Sequence, residues 1–166
     1  MLLRAAGHQI VGSTPNGDEL ITLLSAQSAD VAILDIRMLP EPDGGLITAE
    51  RLRATYPELG LLFLSHYADT HYLMRILEIG TERIGYRLKE KVGSVDVLTD
   101  TLSRIHAGEI VIEPVLAKRL VDRPRAEKKR YRSDAFRSGT RGVETNGRGE
   151  IKQWDRRSSL RHPQGS

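Results

Sequence analysis

Along residues 1–122, short apolar runs alternate with stretches whose apolar positions recur every three or four residues. Uninterrupted apolar runs read as strands covered on both faces, and three-and-four spacing reads as amphipathic helix. Strands are predicted at 31–34, 61–64 and 84–88, with a weaker, earlier one at 8–11. Leu20, Ile21, Leu23 and Leu24 mark one helix, and Leu46, Ala49, Leu52 and Arg53 mark the next, which must end before Pro57. Tyr72, Leu73, Ile76 and Leu77 mark a third, closed by Gly80. Val95, Leu98, Leu102 and Ile105 mark a fourth, with Ser94 as its N-cap and Gly108 near its end. Strands separated by helices predict βα units, a parallel sheet and a doubly wound α/β fold. After Leu120 the pattern stops. Residues 123–166 hold few aliphatics and many Arg, Gly and Ser, and are predicted to be disordered on composition. There is no internal repeat.

Charge sharpens this division. Residues 1–122 carry 12 Lys and Arg against 17 Asp and Glu, whereas residues 123–166 carry 13 against 5. An acidic module is therefore followed by a basic tail, the distribution of a globular domain with a nucleic-acid-binding arm or of a tail out of its proper context. No apolar run approaches the roughly 20 residues that span a bilayer, and the first residues lack a secretory apolar core, so no membrane partner and no signal peptide are expected. The chain has no cysteine. Disulfides, thiolate nucleophiles and thiolate metal sites are excluded, which fits a cytoplasmic location.

The chemistry is expected at the carboxyl ends of the strands, where the helices of an open parallel sheet diverge. Asp35, Ser65 and Lys89 each follow one predicted strand. A carboxylate can attack a phosphoryl group to form an acyl phosphate, and an ammonium and a hydroxyl can hold the new phosphoryl oxygens. Taken singly, Asp35 reads equally well as a solvated or capping residue. The weight lies in all three residue types in this order, one βα unit apart.

These residues sit in segments with a wider resemblance. Val31-Ala-Ile-Leu-Asp-Ile-Arg-Met38, Pro40, Gly44-Gly-Leu46, Leu64-Ser65 and Gly85-Tyr-Arg-Leu-Lys89 are similar to the receiver domain of LuxR-type (NarL-like) two-component response regulators. Gly108-Glu-Ile-Val-Ile-Glu-Pro114 and residues 115–120 resemble the segment linking that receiver to its output domain. The resemblance implies a flavodoxin-like fold with a partial receiver domain at 1–108, a linker strand and helix at 109–122 and the basic tail at 123–166. By it, Asp35 takes phosphate from a sensor histidine kinase, Ser65 and Lys89 sense the phosphoryl group, and Tyr86 is the switch aromatic. The Arg37 backbone carbonyl joins Asp35 in holding Mg²⁺. Homodimerisation and DNA binding to control transcription are implied of the intact family, which has no independent enzyme turnover. Leu39 before Pro40 departs from the family's usual Met-Pro-Pro.

Two larger departures follow. Receivers of this family open with a strand ending in two adjacent acids that bind Mg²⁺, whereas Met1-Leu-Leu-Arg-Ala-Ala-Gly7 resembles the end of the helix after that strand. With the acid pair absent, Mg²⁺ binding is expected to weaken. With the central strand of the order 2-1-3-4-5 absent, marginal stability or aggregation is expected. The family also continues into a helix-turn-helix domain. With codons chosen among synonyms and read one base later, residues 146–155 become Met-Ala-Glu-Gly-Arg-Ser-Asn-Ser-Gly-Ile, similar to a turn of that domain. This motivates the hypothesis of a frameshift near Lys128 or Lys129, which genomic DNA would test.

Other function classes compete. The chain can be a standalone receiver-like interaction module that binds a kinase or a full-length regulator. It can also be an α/β core whose tail, through Lys128-Lys-Arg130, Tyr131, Arg132, Trp154 and Arg156-Arg157, binds nucleic acid without sequence preference. A hydrolytic Ser65–His66–Asp35 triad lacks the Gly-x-Ser-x-Gly elbow. An unrelated flavodoxin-like ligand-binding protein is disfavoured because no Gly-rich phosphate loop follows a strand. His8, His71 and His106 read as surface or helix-face residues because no pair shows ligand spacing.

Overall fold

Branched and large aliphatic side chains without polar interruption favour strands that can be covered on both faces. In the computed structural model, which describes residues 2–122, 141–145 and 151–155, four strands form a parallel sheet. They are β1 (Val31–Asp35), β2 (Gly60–Ser65), β3 (Ile84–Leu88) and β4 (Ile110–Ile112), in the order β1-β2-β3-β4. β2 is such a run, buried on both faces, whereas β1 leaves Ile33 exposed and β3 is interrupted by Arg87. The predicted strand at 84–88 matches β3, while β1 and β2 each extend by one residue or more to include Asp35 and Ser65. The strand and helix expected within 109–122 also form, and the strand pairs Ile84, Gly85 and Tyr86 with Ile110, Val111 and Ile112.

Helices α1 (Leu2–Ala5), α2 (Gly17–Ala26), α3 (Gly44–Thr55), α4 (Thr70–Ile79), α5 (Val95–His106) and α6 (Pro114–Val121) surround the sheet. Alternation along the strands divides the core into two. Ala32, Leu34, Leu61, Phe63, Ile84 and Tyr86 join α2, α3, α4 and α6 through Leu24, Leu46, Leu52, Leu73, Ile76 and Leu116. Leu62 and Val111 pack with Leu102 and Ile105 of α5, and with Leu3 of α1. Burying one Leu, Ile or Phe side chain contributes about 1.5–3 kcal/mol, so the two layers hold most of the driving force for this unit.

The helix ends follow local chemistry. Asn16 caps α2, its side chain accepting from the Glu19 amide at 2.9 Å and donating to the Glu19 carboxylate at 3.0 Å. Asp69 caps α4 by accepting from the His71 amide at 2.7 Å. Ser94 occupies the N-cap of α5 as predicted, although its side chain makes no capping hydrogen bond. Past α5, Gly108 adopts φ +101°, the left-handed conformation that favours glycine at a helix end. Pro114 opens α6 where its missing N–H costs nothing.

Two expectations need correction. Residues 8–11 form no strand. The open edge of β1 has no neighbouring strand among the described residues, so nothing supplies that segment with ladder hydrogen bonds. Residues 141–145 and 151–155, expected to lack structure, form the antiparallel pair β5 (Arg141–Thr145) and β6 (Ile151–Asp155), with Arg141 opposite Asp155 and Glu144 opposite Lys152. Val143, Thr145, Ile151 and Trp154 supply strand propensity, and Asn146-Gly147 between the runs is a hairpin signal that composition alone obscures. The remainder of 123–166 lies outside the described residues. Residues 1–121 and 122–166 form separate units.

Candidate functional site

Parallel register carries the strand ends to one edge of the sheet. Asp35 lies opposite Leu64 and Ser65 opposite Leu88, so Asp35, Ser65 and Lys89 emerge side by side at the carboxyl ends of β1, β2 and β3. The contact at the centre is between Lys89 Nζ and Asp35 Oδ2, at 2.5 Å. Asp35 Oδ1 accepts from the Arg37 amide at 3.1 Å. Both groups remain reachable from solvent, with the Asp35 side chain 42% exposed and that of Lys89 30%.

Close packing beneath the pair sets its position. Gly45, in the first turn of α3, donates its amide to the Ile36 carbonyl at 3.0 Å. A Cβ at Gly45 would sit 2.0 Å from the Asp35 carbonyl oxygen, so only glycine lets α3 approach the end of β1 this closely. Gly44 is restricted in the same way by the Met38 carbonyl, 2.2 Å from its ideal Cβ. The Gly44-Gly45 pair is therefore a packing requirement of the loop that follows Asp35.

Ser65 is buried, and its Oγ accepts from the Tyr67 amide at 3.2 Å. Tyr86 is fully buried opposite Phe63. Its hydroxyl donates to the Tyr67 carbonyl at 2.9 Å and accepts from the Asp69 amide at 3.5 Å. Burial pushes the Tyr86 phenol above its ordinary pKa, opposed by hydrogen bonds involving Asp69 and Ser65. Ser65 and Tyr86 thus grip one loop, residues 65–69, from its two ends. The Arg37 guanidinium covers the exposed ring of Tyr67, 5.7 Å from its centroid.

The hydrolytic arrangement does not form. Asp35 is engaged by Lys89 and Ser65 by the Tyr67 amide, while His66 Nδ1 faces Glu90 Oε1 at 3.6 Å. His8 Nε2 lies 3.4 Å from Thr99 Oγ1, and His71 and His106 sit on exposed helix positions. Among the described residues no group of three or more His, Cys, Asp and Glu is placed to hold a metal ion. The Asp35 carboxylate and the Arg37 carbonyl are the two oxygen donors that the resemblance assigns to Mg²⁺, an ion that takes the rest of its six oxygens largely from water, and the Lys89 ammonium touches Oδ2 of that carboxylate. No helix among the described residues is long and apolar enough to cross a membrane. The tail residues Lys128, Lys129, Arg130, Tyr131, Arg132, Arg156 and Arg157 lie outside the described residues.

Sequence reasoning missed three participants. Tyr67 acts through its backbone, which composition cannot reveal. Glu113 is buried at the end of β4 and Arg119 projects from α6, donating to the Ala68 carbonyl at 2.6 Å. The signal for Glu113 was an acid directly before a proline at a helix start.

Comparison with known proteins agrees with this fold. Residues 1–84 match the family model of the response regulator receiver domain. The chain is 27% identical over 114 residues to the oxygen regulatory protein NreC of Staphylococcus carnosus, covering 69% of this chain and 50% of that protein. It therefore spans about half the length of the curated relatives it matches. Among solved structures, a LuxR-family two-component response regulator from Aurantimonas superposes with a TM-score of 0.60 at 19% identity, covering 76% of this chain and 86% of that one. The isolated receiver domain of RcsB from Salmonella enterica superposes with a TM-score of 0.55 at 20% identity, covering 66% and 78%. With the parallel sheet and the family match over half its length, the chain belongs to the response regulator receiver domain family.

Proposed function

We propose that this chain is the receiver portion of a two-component response regulator in which Asp35 accepts a phosphoryl group from a phosphohistidine donor. The observation that carries the reading is the Lys89–Asp35 contact of 2.5 Å, which reaches across the carboxyl end of β2 to join the ends of β1 and β3. In the reaction an Asp35 oxygen attacks phosphorus, the P–N bond breaks, and the imidazole leaves with a proton, producing an acyl phosphate. The Lys89 ammonium then moves its hydrogen bond from the carboxylate to a phosphoryl oxygen, and the Ser65 hydroxyl turns from the Tyr67 amide to another. Because Tyr67 also accepts from Tyr86, that turn alters the same loop that holds the buried phenol. A signalling role follows, with a receiver that changes state rather than one that turns over substrate.

The test is incubation of the full chain with phosphoramidate, followed by intact mass and peptide mapping. One phosphoryl group on Asp35 is expected, absent in Asp35→Asn and slower to form in Lys89→Met. Labelling of Asp35→Asn at the wild-type rate would remove Asp35 from this role.

A histidine kinase partner, transcription control, homodimer formation and a cytoplasmic setting belong to the same proposal, extended from relatives of which the match covers about half. A frameshifted DNA-binding segment near Lys128 is part of it. Genomic sequence in which one base shift after that codon fails to open a helix-turn-helix reading frame would refute this part. A second reading is an interaction module that binds a partner without being phosphorylated, with the Lys89 ammonium remaining paired to Asp35. Kinase binding without any incorporation of phosphate would support it over the first.

A further inference from the structure

Glu113 stands at a junction. Its amide donates to the Tyr86 carbonyl at 2.9 Å, continuing the β3–β4 ladder by one residue. Its own carbonyl accepts from the Leu116 and Ala117 amides at 3.0 and 3.1 Å, which starts α6. Its carboxylate is buried and turns back onto β3. There Oε2 lies 3.4 Å from the Leu88 amide and 3.4 Å from Arg87 Nη1. Leu88 is the last strand residue before Lys89, and Arg87 Nε is buried without a partner, so Glu113 is the counter-charge shown for this guanidinium. A buried charge persists only with such compensation. Two turns along α6, Arg119 donates to the Ala68 carbonyl, in the loop whose Tyr67 carries both the Ser65 and the Tyr86 contacts.

We propose that Glu113, with Arg119 as a second grip, is a positioning residue for the Asp35–Lys89 pair, so that the seating of α6 and the geometry of the candidate site form one coupled unit. The segment from 113 to 119 touches the two loops that flank Asp35: the turn carrying Lys89, through Leu88 and Arg87, and the loop carrying Ser65, through Ala68. Anything that pulls α6 away releases both at once. Conversely, a phosphoryl group that draws Lys89 and Ser65 toward itself strains the contacts that seat α6. This inference rests on the phosphate-acceptor reading for its meaning in signalling, but the mechanical coupling is testable without it.

The experiment is peptide-resolved hydrogen exchange on the full chain for wild type, Glu113→Ala, Glu113→Gln, Arg119→Ala and Arg119→Lys. Loss of one charge-assisted hydrogen bond predicts about tenfold faster exchange in residues 65–69 and 86–91 for both alanine variants. Residues 44–55 are expected to be unchanged. Glu113→Gln, which keeps an oxygen for the Leu88 amide, should recover much of the protection, and Arg119→Lys part of it. Unchanged exchange at 65–69 and 86–91 would overturn the proposal. So would a uniform rise that includes 44–55, because a merely structural role predicts that pattern. In a second arm, phosphoramidate labelling of Asp35 should slow about tenfold in Glu113→Ala and recover in Glu113→Gln. If wild type takes up no phosphate, the acceptor reading fails while the exchange arm still decides the role of Glu113.

Discussion

Replacing Gly45 by alanine sets two opposed effects against each other, and the structure decides which wins. Alanine is the better helix former by about 1 kcal/mol, so at an unhindered helical position the substitution stabilises. Here the new methyl carbon would lie 2.0 Å from the Asp35 carbonyl oxygen and 2.9 Å from both the Asp35 carbonyl carbon and the Ile36 Cα. All three are backbone atoms, so no side chain can swing away. Either α3 retreats, breaking the 3.0 Å hydrogen bond from Gly45 to Ile36, or the end of β1 bends. Overpacking of this kind costs about 1–3 kcal/mol, and the lost hydrogen bond adds about 1, giving a net destabilisation of about 1–3 kcal/mol after the helix gain. With a urea m-value of about 2 kcal/mol/M, the midpoint should fall by about 0.5–1.5 M. Gly80→Ala is the control: its φ is 176°, and a Cβ there meets nothing nearer than 3.6 Å, so its midpoint should stay or rise slightly. If Gly45→Ala unfolds at the wild-type urea concentration or above it, the close approach of α3 to the end of β1 is wrong.

Three further outcomes are expected. Tyr86 has a phenol pKa raised by burial, so its contribution to stability is present below the ordinary value near 10 and is lost as pH climbs through that value toward the folded one. Urea midpoints for Tyr86→Phe should lack that alkaline decline, and an identical decline in both proteins would refute the assignment. Asp43 is held below the usual carboxylate range chiefly by its hydrogen bond to Arg75, so it stabilises above its ordinary pKa and the benefit fades as pH falls toward the lowered one. Asp43→Asn should therefore be weaker than wild type near neutrality, with the gap closing in acid. Arg53 donates to the carbonyls of Pro57 at 2.6 Å, Leu59 at 2.8 Å, Glu82 at 3.5 Å and Arg83 at 3.1 Å, joining the turns before β2 and β3. Arg53→Met should cost about 2–3 kcal/mol in chemical denaturation, and a cost below 0.5 kcal/mol (on the order of a surface change) would show those contacts to be incidental.

Much of this protein was legible in its order of residues. β2 announced itself because a strand covered on both faces leaves an apolar run with no alternation to obscure it, whereas β1, read the same way, leaves Ile33 exposed at the open edge of the sheet, and β3 carries Gly85 and Arg87 within its run. Four helices were marked by apolar spacing, and Asp35, Ser65 and Lys89 by their place after the strands. The topology of a parallel sheet sends every strand's carboxyl end to the same edge, so the site followed once the strands were found. The segment at 8–11 misled because a strand is defined by its partner: apolar residues suffice for the pattern, and ladder hydrogen bonds need a neighbour that the described residues do not supply. The tail misled in the opposite direction, since composition averages away a local signal such as Asn146-Gly147 between two runs of strand formers.

Local sequence, then, determined the strands, the helices, their caps and the residue types at the strand ends, because propensity and periodicity act over one or two turns of chain. Only the tertiary structure decided that Lys89 reaches Asp35, that Tyr86 turns inward to the Tyr67 carbonyl, that Gly45 must lack a side chain, and that Glu113 and Arg119 join α6 to the two loops around the site. Each of those contacts spans residues far apart in the chain or runs through backbone atoms. Neither leaves a trace in composition or spacing, because the groups meet only after the sheet and its covering helices have packed.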